Sequence, residues 1–461
     1  MRYFKKYNII TAALAYILSV GIMFFLFAVK KYAPFGESSL AVMDATYQYL
    51  DFFGYLKNVF LGEDSIFYSF HKMLGGGMEG TVAYYLSSPF NLLLFFFDKA
   101  SLPAFFDLLV ALKLGVAAAA FSIFLLGRHE GEARPFTFSD GLWIVLLALC
   151  YSLCQYSIAQ SSNIMWLDGV VMLPLMMLGV FYTVTGDRRK YLLSVFTAVS
   201  ILANWYTAGF NGFFSIVWFV FEFFLSGRKA NFRSFLLGTG RYCLFMLFGV
   251  MLSAVLFLPA IASMAQGSRG GIDLGLLRDM TFDSPFPALF TSYRPGAISS
   301  FREPAIYCGI IPVIGLLFTF FTEKISLRKK LTYLGMLVFM VLMFFWNPMR
   351  VVFSMFRTVE SYWYRSGYIG SFLMVFIASE FLLGKNRKKG VLLAAAGLIF
   401  TVVDMGNHAS LLIDHYHLEN ASSFAEYSMA QEAQLDEIHD RDDSLYRISQ
   451  TSNRGGSSQT V

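Results

Sequence analysis

Long, nearly uninterrupted apolar runs decide what this chain can fold into. A backbone in lipid has no water to bond with, so each crossing segment must close its own hydrogen bonds, as a helix of about 20 mostly apolar residues does. Eleven segments are long and apolar enough: 8–29, 103–126, 141–160, 167–185, 191–208, 211–226, 242–266, 305–322, 331–347, 366–383 and 390–407. The expected fold class is therefore an all-α polytopic integral membrane protein. Composition agrees, with 56% of the 461 residues hydrophobic and only 15% charged, against roughly 45–50% and 25% in a soluble domain. Four cysteines in the whole length leave no basis for a disulfide-rich module.

The apolar run at 84–97 is too short to span and carries Pro89 in its middle, so it is expected to lie on the interface or dip into it. Charge tests that choice. With the N-terminus cytoplasmic, twenty of the 36 basic residues fall on short inner connections, among them Arg128, Arg189 and Lys329. Fifteen are spread over longer outer segments, and Lys113 alone lies inside a span. Making 84–97 a span would turn every later basic cluster outward, against the positive-inside rule. The first span lacks a small-residue cleavage site and reads as an uncleaved anchor. Residues 1–407 are expected to form one multi-span domain with long outer loops at about 30–102 and 267–304. Residues 408–461 form a polar outer tail, either flexible or the start of a further outer domain.

No phosphate-cradling glycine loop or dinucleotide fingerprint occurs, which disfavours a nucleotide-driven pump or a nucleotide-using enzyme, and no nucleic-acid partner is expected. The chemistry is expected on the outer face. There, Asp44, Gln48, Asp51 and Tyr55 follow one another at helical spacing as a polar stripe beside Met43, Tyr47 and Leu50. A carboxylate partly desolvated near lipid is a candidate general base; the plainer reading is a surface helix with its acids in water. Downstream, Gly75, Gly76 and Gly77 suit either close approach of a ligand or a hinge.

The order Asp44, Gln48 and Tyr49, a glycine-rich stretch, Tyr84-Tyr-Leu-Ser-Ser-Pro-Phe-Asn91, and Asn163-x-x-Trp166-Leu-Asp168 followed by Pro174 resembles the YfhO family of bacterial membrane proteins. So does Ile306-Tyr307-Cys-Gly309-Ile310-Ile-Pro, and the resemblance covers essentially the whole chain. It implies a GT-C-like glycosyltransferase in the bacterial cell membrane. Such an enzyme works on the outer face, moving a sugar from a polyprenyl-phosphate donor to a cell-envelope polymer such as lipoteichoic acid. It also implies a catalytic Asp in the first outer loop, which matches Asp44, with Asp51 as runner-up. Because that family continues into a longer outer C-terminal region, the tail is expected to be the start of a truncated one.

The residues suit that task. Transfer from a lipid phosphate needs a base for the acceptor hydroxyl and a cation or metal for the departing phosphate. Gln48, Tyr49, Asn163 and Trp166 are candidate substrate contacts. Asp168, with Asp44, is a candidate ligand for Mg²⁺ or Mn²⁺, which prefer oxygen; otherwise it is a water-facing acid beside an interfacial Trp. Arg365, following Tyr362-Trp-Tyr364, and Arg357 are candidate phosphate cations. Lys113 is costly inside a span unless it is paired or reaches water, so it is either a substrate contact or a residue that snorkels or pairs with Asp107. Asn204, Trp205, Tyr206 and Asn211 suit sugar contact or an aromatic belt. Cys150 and Cys154 read as packing residues, and His415 with His417 as part of a solvated tail. The rival functions are a transporter or lipid flippase, for which no internal repeat is visible, and an inactive envelope scaffold.

Overall fold

A computed structural model describes residues 2–70, 72, 75–130, 136–226, 232–265, 272–286, 293–297, 304–358, 365–383, 388–414, 419–442, 444 and 448. The helices of ten or more residues are α1 (Arg2–Lys30), α2 (Leu50–Leu61), α3 (Leu102–His129), α4 (Phe138–Ser152), α5 (Leu167–Thr185), α6 (Leu192–Leu225), α7 (Phe232–Leu252), α8 (Ala254–Ala265), α9 (Ile310–Phe321), α10 (Leu327–Phe345), α11 (Gly367–Leu382), α12 (Lys388–Ile413) and α13 (Ala421–His439). Strand structure among the described residues is limited to two antiparallel pairs of two residues each.

Seven stretches of described residues are long and apolar enough to cross a membrane: Asn8–Lys30, Lys99–His129, Phe138–Ala159, Ile164–Thr185, Arg188–Leu225, Phe232–Leu252 and Gly390–Ile413. The chain is an all-α polytopic membrane protein, but its spans divide differently from the expected eleven. The segments expected at 191–208 and 211–226 are the two helical arms of α6, which meet at non-helical Asn204, at φ −161° and ψ 104°. The chain folds back there. Leu193 lies against Gly179 and Thr207 against Gly169, after which Glu222 returns to Arg128 beside Tyr182. Asn204 then acts as an N-cap, its Oδ1 accepting from the Thr207 amide at 2.9 Å. The span expected at 242–266 is cut at buried Ser253 into α7 and α8. The shorter apolar helices α9 and α11 supply further apolar length.

Helix α3 is the hub. Most of its residues are buried, and it packs on α1, α4 and α5. Its glycines allow close crossings: a Cβ on Gly115 would strike Tyr16 and Val20 of α1, and one on Gly127 would strike Leu178 and Tyr182 of α5. The outer helices expose apolar side chains instead, such as Leu247, Phe248 and Met251 on α7 and Ile399 and Val403 on α12. This inside-out distribution suits a bilayer, which solvates such faces.

The ends of the bundle differ. One, here the basic end, carries Arg128, Arg189 and Lys329, each in an ion pair. At the other, the aromatic end, α2 and residues 76–101 pack. The 84–97 run does not span: a π-turn at Val82–Leu86 passes into a 3-10 helix at Pro89–Phe96 that exposes Leu92, Phe95 and Phe96. Gly75, at φ 104°, closes the small hairpin in which Tyr68–Ser69 meets Gly76–Gly77. Part of the expected polar tail folds back on this end. Glu419–Asn420 pairs with Ser38–Ser39, Asn420 caps α13, and Lys99 bridges to Glu432 at 3.2 Å. His415 and His417 lie outside the described residues.

Candidate functional site at the aromatic end

Asp44 is exposed and precedes a π-turn, Ala45–Tyr49, that leads into α2. A π-turn adds a residue per turn, so the side-chain stripes expected from a 3.6-residue period are broken. Met43, at φ 55°, and Tyr47 face outward, whereas Tyr55 is buried with its hydroxyl on the Ser65 carbonyl. Tyr55 therefore leaves the polar stripe expected of it, and the apolar stripe of Met43, Tyr47 and Leu50 is split between outside and core, while exposed Asp44 and half-buried Gln48 and Asp51 stay accessible.

The π-turn ends at Tyr49, and Tyr49 is where the site assembles. Its hydroxyl donates to Asn163 Oδ1 at 2.9 Å, and Asn163 Nδ2 donates to Gln160 Oε1 at 2.9 Å. Burial pushes the Tyr49 hydroxyl pKa far above its ordinary value; Tyr85 and Asp44 add to the rise and Arg365 opposes it. Tyr49 is thus a neutral donor acted on by both Asp44 and Arg365.

Around it stands an aromatic cluster. Tyr85 lies 5.3 Å from Tyr49 and 4.5 Å from Tyr84, and Tyr84 lies 5.6 Å from Tyr206. Trp166 Nε1 donates to the Tyr84 hydroxyl at 3.2 Å. The Arg365 guanidinium lies over the Trp166 ring, 4.8 Å from its centroid, and its Nη1 donates to the Tyr206 hydroxyl at 2.8 Å. Trp205, 6.0 Å from Tyr84, has a buried indole N–H without a hydrogen-bond partner among the described residues. Glu360 and Tyr362 to Tyr364 lie outside the described residues.

Beneath the cluster two expectations change. Lys113 does not pair with Asp107. The two are six residues apart on α3 and point to different sides: Lys113 Nζ meets Asp168 Oδ2 at 2.8 Å and the Ile164 carbonyl at 3.0 Å, while Asp107 Oδ1 accepts from Ser39 Oγ and the Leu40 amide. Asp168 is 3% exposed rather than water-facing, and its Oδ1 accepts from Ser88 Oγ at 2.9 Å. With both of its oxygens so engaged, Asp168 and exposed Asp44 do not fit a divalent metal site. Among the described residues no three His, Cys, Asp or Glu side chains gather as a ligand set.

Asn204 is also spent internally. It is fully buried, caps its own helix and donates to the Tyr84 carbonyl at 2.8 Å, so it places the cluster instead of facing a sugar. Asn211 likewise donates to the Gly169 carbonyl and accepts from Tyr368. Arg357 is half-buried, and no described contact joins it to the cluster.

Tyr84, Tyr85 and Ser88 were visible in the motif at 84–91 but carried no assigned role. Asp404, a lone acid in an apolar run, is a further polar contact that the motifs alone do not mark. Its carboxylate accepts from the Tyr307 hydroxyl at 2.7 Å and the Ile310 amide at 3.0 Å, capping α9 just after Gly309, whose φ is 94°. That contact accounts for the Tyr307-Cys-Gly-Ile310 motif.

The family model for bacterial membrane protein YfhO matches residues 15–396. The chain belongs to the YfhO family. The matched region takes in every segment of the aromatic-end cluster, from Asp44 to Arg365, and the Asp404 side of α12 lies just beyond it. No curated protein matches the chain.

Proposed function

We propose that this YfhO-family protein is a GT-C-like glycosyltransferase whose active end faces the outside of the cell. It takes a sugar from a polyprenyl-phosphate donor and transfers it to a cell-envelope polymer such as lipoteichoic acid. The observation that carries this reading is convergence. The segments bearing Asp44 and Tyr49, Tyr84 and Tyr85, Asn163 and Trp166, Tyr206, and Arg365 are far apart in sequence and meet at one end of the bundle.

Exposed Asp44 removes the proton of the acceptor hydroxyl as the new glycosidic bond forms. Arg365, 4.8 Å from the Trp166 ring, offers its guanidinium to the phosphate that departs with the bonding electrons. The tyrosines and tryptophans offer faces and hydroxyls to the sugar ring. No step is assigned to a metal.

A transporter or lipid flippase is the second reading, favoured by the buried Lys113–Asp168 pair and by a cleft of about 500 Å³ at the basic end. Deleting the gene separates the two. Transfer predicts an envelope polymer lacking its sugar together with accumulated lipid-linked donor, whereas an unchanged polymer rejects it.

A further inference from the structure

We infer that Lys113 and Asp168 are a positioning pair that sets the relative placement of the two loops forming the aromatic-end site; this rests on the proposed transferase reading. Two fully buried ions are a poor means of stabilising a bundle, because desolvation offsets most of their attraction and an apolar pair of similar volume does as well or better. Their value here is in what they tie together. Lys113, on α3, donates to Asp168 on α5 at 2.8 Å and to the carbonyl of Ile164 at 3.0 Å, in the turn that bears Asn163 and Trp166. Asp168 uses its other oxygen to accept from Ser88 at 2.9 Å, directly after the turn that bears Tyr84 and Tyr85. The Phe90 ring covers the ammonium at 5.6 Å. One ion pair therefore touches the 84–91 segment and the 160–168 segment at once, and the bond from Trp166 to Tyr84 closes the ring above it. A salt bridge that only joined α3 to α5 would need neither loop contact.

At 1% and 3% exposure the pair is sealed from the surface, so neither residue is a substrate contact in this geometry. The two act through the cluster they hold. A misplacement of about 1 Å at reacting groups costs about 100-fold in rate, so loss of register is expected to appear in turnover.

The test compares Lys113→Met with the double variant Lys113→Met/Asp168→Leu in the full-length purified chain. Each is followed by thermal melting, amide hydrogen exchange, and sugar transfer from a polyprenyl-phosphate sugar. The single variant strands a buried carboxylate and is expected to melt well below the wild type. The double variant is expected to melt close to the wild type, yet to exchange at least about tenfold faster in 84–91 and 160–168 and to lose about 100-fold in kcat. Unchanged exchange in those two segments in the well-folded double variant overturns the positioning role, as does full turnover there. Faster exchange together with a wild type that transfers no sugar upholds the positioning role and removes the transferase reading instead.

Discussion

Arg128 and Arg365 are both guanidiniums laid on aromatic rings, one at each end of the bundle, and they differ in what completes their surroundings. Arg128 sits 4.7 Å from Phe181 and 4.9 Å from Phe376 and is bound to Glu222, a carboxylate only 1% exposed. The rest of that end follows suit: Lys329 and Tyr333 both donate to Glu380, and Arg189 is held by Asp187 and Glu130. At the aromatic end, Arg365 contacts Trp166 and the hydroxyl of Tyr206 among others, with further hydroxyls and an amide beyond. Carboxylates pair with the cations of the basic end from within, whereas hydroxyls and an amide gather around Arg365 and Tyr49 at the aromatic end, with Asp44 also acting on Tyr49. A cleft of about 500 Å³ lies at the basic end; on the proposed function the lipid phosphate is held at the other.

Substitutions at the two ends should therefore fail in different ways. The largest loss of stability is expected from Arg128→Met, which strands Glu222 in the interior at a cost of about 3–5 kcal/mol. Melting should drop strongly, while the sugar transferred per folded molecule stays at the wild-type level. Arg365→Ala should do the reverse, lowering transfer by about 100-fold with little change in melting. Arg365→Lys keeps the charge without the planar fork and should recover only part of that loss. If Arg365→Ala unfolded the protein and Arg128→Met abolished transfer at normal fold, the contrast between the ends would be inverted. Tyr49→Phe removes the bond to Asn163 and should cost about 1 kcal/mol in unfolding measured by melting, with the ring packing on Tyr85 retained. Lys329→Ala breaks a pair that is 40% exposed on the lysine side and should change stability by no more than about 1 kcal/mol.

Much of the bundle was legible because lipid demands length and apolarity together, and those are countable in a sequence. The reversal at Asn204 was legible only in outline. An Asn and two aromatics in an apolar run suit a sugar contact as well as a helix cap, and the choice depends on Thr207 and Tyr84 coming within reach. The stripe through Asp44 failed because an extra residue in the first turn leaves no mark on side-chain spacing. Lys113 announced itself as a costly intramembrane charge, but its partner could be found only by knowing which face of α3 meets α5. Asp404 carries the same signal with the opposite sign. The helix at Ala421–His439 is obscured in the sequence by its polar, acidic composition, although Asn420 as cap and a run of Ala, Glu, Gln and Met favour it.

The most direct measurement is transfer of labelled sugar from a polyprenyl-phosphate donor by the purified chain in vesicles, comparing the wild type with Asp44→Asn and Asp44→Ala at matched folded amounts. Loss of a general base predicts a fall of about 100-fold or more in both variants, with melting unchanged because Asp44 is exposed. Full transfer by either variant would contradict the assignment of Asp44, and no transfer by the wild type with a competent donor and acceptor would contradict the transferase reading itself.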